Sequence, residues 1–272
     1  MPPPTPLSAH LLSLAESLNA HMPLAPGEER IERPAYVVWL GAGGDHPAFT
    51  VVQRLRLAPH QVAATVAEIR ELLAARGRPR ATWEIGPSAT PPDLVERLLS
   101  LGMAPFEEPL ATGMVLRRPL PPIATEVVAR RVETVDECAA AFEVLHAVFQ
   151  ERTETPAERR RRAELALAPE RAARRGVFLA TLDGAVVAAS SALYTDDAVV
   201  LGGAATLPHA RGRGAYRALV AARYAEAARR GTPTLVIQAG GMSRPILEGL
   251  GFEAVAELHV LVDETSHGAQ AG

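Results

Sequence analysis

Apolar and polar positions divide the chain into two similar series of elements. In the first, a short apolar helix near residues 11–18 precedes two strands, 35–40 and 47–57, around the glycine-rich turn Gly41-Ala42-Gly43-Gly44-Asp45. From Pro59 to Arg76 the residues Val62, Val66, Ile69, Leu72 and Leu73 recur at helical spacing, and Gly77 ends that helix. A strand over 81–85, a helix over 92–101 stopped by Gly102, and a strand near 111–116 complete the series. Three prolines in the four residues Pro119-Leu120-Pro121-Pro122 exclude both helix interior and central strand, so a linker is expected over 119–125.

The second series opens with a strand over 126–132. A helix over 135–149 follows, capped by Thr134, with Ala139, Phe142, Leu145 and Phe149 on its apolar side. Next come a strongly charged helix over 156–174 and strands 177–182 and 185–194 about the hairpin signal Asp183-Gly184. Strand 199–207 leads through Pro208-His209-Ala210-Arg211-Gly212-Arg213-Gly214-Ala215-Tyr216 into a helix that Gly231 ends. A strand over 234–239, a helix over 243–250 ended by Gly251 and a strand over 254–262 close the chain.

The two series share an order. Leu57-Ala58-Pro59-His60, helix, Ala-Ala-Arg-Gly, strand 82–85, a proline-containing helix and Leu101-Gly102-Met103 run parallel to Leu207-Pro208-His209, helix, Ala-Arg-Arg-Gly, strand 234–237, a proline-containing helix and Leu250-Gly251-Phe252. Only the second series has an Arg-Gly-Arg-Gly insertion between strand and helix. The expected domains are therefore 1–118 and 126–272. Each half ends in one strand rather than a hairpin, so the terminal strands are expected to pair across the halves.

Composition narrows the classes. With 272 residues, 48% hydrophobic and 22% charged, the chain is long enough for two globular domains and too apolar for disorder. A net charge of -3 argues against a dedicated nucleic-acid binder. The single cysteine, Cys138, excludes an intramolecular disulfide and a cysteine-rich zinc site, and reads as a small core residue. Eight histidines without metal-ligand spacing indicate no metal site. The first residues lack the pattern of a signal peptide and no window is apolar enough to span a bilayer, so a cytoplasmic, non-membrane protein is expected. The run Arg159-Arg160-Arg161-Arg162 with Glu158 and Glu164 reads as a solvated helix face.

The chemistry concentrates on the segment from Arg211 to Tyr216. A glycine-containing loop between a strand and a helix N-terminus presents successive backbone N–H groups to an anion, favoured by the positive end of the helix dipole. Glycine lets the backbone approach phosphate oxygens closely. A P-loop needs a lysine, and all 28 basic residues are arginine. A dinucleotide fingerprint needs glycine three residues after Gly214, where Arg217 stands. No Gly-x-Ser-x-Gly elbow occurs.

The loop resembles the acyl-CoA loop of the GNAT N-acetyltransferase superfamily, whose signature Gln/Arg-x-x-Gly-x-Gly/Ala is met at Arg211 and Gly214, with Tyr216 in place of the last Gly/Ala. Thr206-Leu207-Pro208 before the loop, Ala218-Leu219-Val220 after it and Leu250-Gly251-Phe252 strengthen the likeness. The whole chain resembles a tandem GNAT protein with a degenerate N-terminal half. The resemblance implies an α+β fold of two GNAT-like domains, each a mostly antiparallel mixed sheet flanked by helices. A V-shaped splay is implied between the fourth and fifth strands of the C-terminal domain. It further implies an acetyl-CoA cosubstrate without a metal. The diphosphate would be held by Arg211, Gly212, Arg213, Gly214, Ala215 and Tyr216, and the pantetheine arm would lie along Ala205, Thr206 and Leu207. Ser243 and Ile246 would border the thioester end, Ser243 also fitting an N-cap.

The implied reaction is direct attack of a primary amine, on a small molecule or peptide, on the thioester carbonyl. Here the sequence departs from the family pattern. Leu247 stands where many members place a tyrosine as thiolate acid, and no carboxylate interrupts strand 199–207. Tyr194, His146, Glu257 and His259 are the candidate acid or base residues, each also readable as structural. The acceptor pocket is expected to be bounded partly by the N-terminal half, and the protein to be a monomer or homodimer. A non-catalytic acyl-CoA-binding or interaction protein is the alternative.

Overall fold

A computed structural model describes residues 6–42, 46–149 and 154–264. Gly43, Gly44 and Asp45 of the expected hairpin turn therefore lie outside the described residues. The described elements are, in order, α1 (Ala9–Glu16), α2 (Leu18–His21), β1 (Glu29–Arg33), β2 (Tyr36–Leu40), β3 (Thr50–Gln53), α3 (Val62–Ala74), β4 (Arg80–Ile85), α4 (Leu94–Ser100) and β5 (Ala104–Leu116). They continue with β6 (Val128–Arg131), α5 (Val135–Phe149), α6 (Pro156–Leu167), α7 (Pro169–Arg174), β7 (Arg175–Leu182), β8 (Ala185–Tyr194) and β9 (Val199–Thr206). Last come α8 (Ala215–Arg229), β10 (Leu235–Ala239), α9 (Arg244–Gly249) and β11 (Glu253–Glu264). The mixed α+β class is as the sequence implies.

The chain forms two compact units. Unit 1 comprises Met1–Gly113, Gln238–Arg244 and Ala254–Gly272, and unit 2 comprises Met114–Ile237 and Pro245–Glu253. The expected linker region 119–125 carries no helix or strand.

Within unit 1 the strands run in the order β1-β2-β3-β4-β11-β5. The β1–β2 and β2–β3 pairs are antiparallel, β3 and β4 are parallel, and the last described strand, β11, lies antiparallel to β4 from His259↔Ile85 to Glu264↔Arg80. Sequence reasoning did not find β1 because Glu29-Arg30-Ile31-Glu32-Arg33 has a single apolar residue, and only Ile31 is buried. The core of this unit gathers Val62, Val66, Ile69 and Leu73 of α3 against Trp83 of β4 and Leu94 and Leu98 of α4. Trp83 is fully buried. Large aromatic and aliphatic side chains at such positions contribute roughly 1.5–3 kcal/mol each on burial. Beside this apolar stripe, Arg70 of α3 reaches Asp263 of β11 with two hydrogen bonds, at 2.8 and 3.0 Å.

Unit 2 is the sheet β10-β9-β8-β7-β6. Its β6–β7, β7–β8 and β8–β9 pairs are antiparallel, and β9–β10 is parallel. On one face α5 brings Cys138, Ala141 and Val144 against Leu179, Ala189 and Ala205. Because strand side chains alternate between faces, the buried Phe178, Ala180, Ala188 and Ser190 point to the other face, which α8 covers as it packs across β6 to β9. Thr134 and Glu137 close the start of α5. The Thr134 hydroxyl accepts from the Glu137 N–H at 3.2 Å, and the Glu137 carboxylate accepts from the Glu133 and Thr134 N–H groups at 2.9 and 3.3 Å. The hydrogen bonds from Arg130 hold the Glu137 carboxyl down at about 2, helped by these backbone donors. The charged segment expected as one helix over 156–174 is two. The ring of Pro169 cannot sit inside a helix whose preceding turn it would clash with, and the chain bends at Ala168, which is extended (ψ 135°).

Candidate functional site

The site begins where two parallel strands part. Strands β9 and β10 pair only through Val199↔Leu235 and Val200↔Val236. From Leu201 onward the edge of β9 that faces β10 has no registered strand partner among the described residues, which is the splay that the resemblance implies. Ala205, Thr206 and Leu207 end that edge. A 3-10 turn, Pro208–Ala210, then leads into the loop before α8.

The loop backbone is shaped by two glycines. Gly212 has φ 76° and Gly214 φ 87°, values that L side chains rarely adopt. At Gly214 a Cβ would also stand 2.7 Å from the Thr125 Oγ1. Gly214 is the residue before α8, with no side chain to cap the helix, and the first internal bond runs from the Ala218 N–H to the Gly214 carbonyl at 2.9 Å. The N–H groups of Ala215, Tyr216 and Arg217 thus stand ahead of the helical ladder at the positive end of a 15-residue helix. Such a cradle fits a diphosphate. The two loop arginines help to fix it. Arg211 donates to the Thr206 carbonyl at 3.3 Å, and the Arg213 guanidinium lies 3.5 Å from Glu126 while its carbonyl accepts from the Thr125 hydroxyl at 3.1 Å.

Midway along β9 is a feature that sequence reasoning missed. Ser190 pairs with Ala204 and Ala192 with Leu201, so Gly202 and Gly203 together oppose Ser191 alone. This is a β-bulge, which interrupts the ladder and leaves backbone groups without strand partners. Two adjacent glycines inside an apolar strand were the available signal. A Cβ at Gly202 would overlap the Ser191 hydroxyl, whereas one at Gly203 would meet only the Phe149 ring of α5, at 3.7 Å.

The other residues singled out from the sequence are dispersed. Ser243 donates its hydroxyl to the Gly240 carbonyl at 3.3 Å in the turn before α9 and belongs to unit 1, whereas Ile246, half-buried in α9, belongs to unit 2. Leu247 is fully buried. Tyr194 is paired with Val199, at the opposite end of β9 from Thr206. Burial raises its phenol pKa, its hydroxyl has no hydrogen-bond partner among the described residues, and the Arg230 guanidinium lies 3.6 Å from the ring centroid. His146 is half-buried in α5, one turn before Phe149. Glu257 and His259 lie on β11 in unit 1, where with Glu96, Ile85, Pro91 and Leu94 they line a depression of about 380 Å³. Cys138 is buried, which pushes its thiol up to about 11. Among the described residues no helix is long and apolar enough to cross a membrane.

No family model and no curated protein matches the sequence. Solved structures do resemble the fold. A GCN5-related N-acetyltransferase from Kribbella flavida shares 20% identity over 95% of this chain and 97% of its own, with a TM-score of 0.68. A tandem GNAT protein from the clavulanic acid biosynthesis pathway shares 17% identity over 94% of each chain, with a TM-score of 0.61. A GCN5-related N-acetyltransferase from Sphaerobacter thermophilus shares 16% identity over 87% of this chain and 82% of its own, also at 0.61. With matches that run nearly the whole length, the fold of this chain is that of the GNAT N-acetyltransferases in its tandem, two-domain form.

Proposed function

We propose that the chain is an acyl-CoA-dependent N-acyltransferase that moves acetyl from acetyl-CoA to a primary amine of a small molecule or peptide in the cytoplasm. The observation that carries this reading is the α8 N-terminus. It is uncapped behind two left-handed glycines, at the end of a strand whose edge is open beside its parallel neighbour. Bound acetyl-CoA would supply an activated thioester. Backbone N–H groups from Gly212 to Arg217 would hold its diphosphate, with Arg211 and Arg213 adding positive charge. The open edge from Ala205 to Leu207 would pair with the pantetheine amides as an added strand. Attack by the amine places negative charge on the carbonyl oxygen, and the bulge at Gly202 and Gly203 offers a backbone donor at mid-strand for that oxygen.

For proton transfer, His146 is the candidate that the fold favours. It lies on α5 three residues before Phe149, so both occupy one helix face, and the Phe149 ring covers Gly203. His146→Ala is expected to lower turnover about 10²-fold or more while leaving acetyl-CoA affinity unchanged. The second reading, acyl-CoA binding without turnover, is favoured by one observation: Leu247 is buried and apolar, so the helix after β10 supplies no acid there. Calorimetry with acetyl-CoA, combined with a thiol-release screen over amino acids, polyamines, aminoglycosides and peptide N-termini, separates the two. Binding with release on one amine class supports the enzyme. Tight binding without release on any amine supports the second reading, and no binding removes both.

A further inference from the structure

Arg223 on α8 is fully buried, yet among the described residues no carboxylate pairs with it. Its Nε donates to the Leu219 carbonyl at 3.0 Å, one turn back on its own helix. Its Nη1 donates to two carbonyls of the bulge, Ser191 at 3.3 Å and Gly202 at 3.4 Å, and its Nη2 has no partner among the described residues. Burial lowers its pKa to about 10, so it is still charged at neutral pH. A buried cation without a counter-ion is costly, and a hydrophobic residue of the same volume would pack there without that cost. What arginine supplies is donors for carbonyls that the interrupted ladder leaves without strand partners.

The peptide plane carries the consequence. In a planar trans peptide the C=O of Gly202 and the N–H of Gly203 point in opposite directions. Arg223 takes the Gly202 carbonyl from the α8 side, so the Gly203 N–H is turned away from α8, toward the face where the Phe149 ring stands. Gly202 itself lacks a Cβ that would overlap Ser191 and force the plane to rotate. Resting on the acyl-CoA reading above, we infer that Arg223 is a positioning residue for acyl transfer: by gripping the Ser191 and Gly202 carbonyls it aims the Gly203 N–H at the thioester oxygen of a bound acyl-CoA. It touches neither substrate and acts through the bulge alone.

The test compares acetyl-CoA with S-ethyl-CoA, a thioether of nearly the same shape that lacks the carbonyl, by calorimetry on the full chain. The wild type is expected to prefer acetyl-CoA about fivefold, the contribution of one net hydrogen bond. Arg223→Met is expected to bind S-ethyl-CoA as the wild type does and to lose the preference. Arg223→Lys, whose ammonium can hold one carbonyl well but lacks the planar fork, is expected to retain an intermediate preference. If Arg223→Met does not fold, Arg223→Lys carries the same comparison. A variant that keeps the full preference, or that loses affinity for both compounds alike, overturns the inference. So does a wild type that binds both equally, which leaves the acyl-CoA reading standing. A wild type that binds neither overturns that reading and the inference with it.

Discussion

The two units solve the same local problem in opposite ways. In each, a pair of parallel strands is in register over two residues only, Val51↔Thr82 and Val52↔Trp83 in unit 1, Val199↔Leu235 and Val200↔Val236 in unit 2. Past that point unit 1 closes the gap with its own chain. The Thr90 N–H donates to the Leu55 carbonyl and the Leu57 N–H to the Thr90 carbonyl, both at 3.2 Å, so a loop segment takes the place of a strand. Arg56 also reaches the Ser88 hydroxyl from the same stretch. Ahead of the helix that follows, the Gln61 side chain accepts from the Ala58 N–H at 2.9 Å. In unit 2 no such segment among the described residues is bonded to the β10 side of the corresponding edge, Ala205 to Leu207, and the helix start is left to two glycines. The difference teaches that two units can share a strand and helix order while the gap between their parallel strands is filled from within in one of them only.

The largest effect that would break this comparison is at Gly214. Gly214→Glu meets three obstacles at once: the φ of 87°, the Thr125 hydroxyl 2.7 Å from the new Cβ, and a carboxylate where the proposed diphosphate would sit. Acetyl-CoA affinity is expected to fall by about 10²-fold or more. Wild-type titrations should give one acetyl-CoA per chain, because in unit 1 the strand edge is already occupied by Thr90. A stoichiometry of two would overturn the account of unit 1.

How much of this contrast the sequence carried can be read from individual residues. Arg211-Gly212-Arg213-Gly214 was legible because the glycines are needed for backbone conformation, and such requirements show in residue type. The absence of that insertion after Leu57 was equally visible. What filled the space was not. The Thr90 bonds to Leu55 and Leu57 are made by backbone groups, which every residue type possesses. Likewise, the bulge depends on how β9 pairs with β8, a tertiary register, although Gly202-Gly203 hinted at it. Arg223 appeared in the sequence as one more arginine on the helix that Gly231 ends, and only its burial beneath the sheet distinguishes it.

A smaller effect sharpens the contrast at a strand interior. In the aligned repeats, β4 has Glu84 where β10 has Val236. Burial raises the Glu84 pKa above its ordinary value, against the opposing hydrogen bonds from Gln53 and Gln238. Folding therefore favours its protonated form. That contribution is fully present below about pH 4.5, the ordinary value, and is lost as pH rises through the higher folded-state value. Glu84→Gln removes the charge and can keep an oxygen that accepts from both glutamines. Its melting temperature relative to wild type is expected to rise between pH 4 and pH 8. A difference that stays constant across that range would mean that Glu84 is ionised in the folded protein at no cost.

The smallest effect concerns the Gln61 bond ahead of the helix in unit 1. Gln61→Ala leaves the Ala58 N–H without its side-chain acceptor at an exposed position, where water can replace part of the bond. The expected loss is about 0.5–1 kcal/mol of stability, measured by denaturant or thermal unfolding. Acetyl-CoA affinity and stoichiometry should not change, because the groove beside Leu55 and Leu57 is still filled by Thr90. If removing the Gln61 cap instead produced a second, weaker acetyl-CoA site, the cap rather than the inserted segment would be what keeps unit 1 closed.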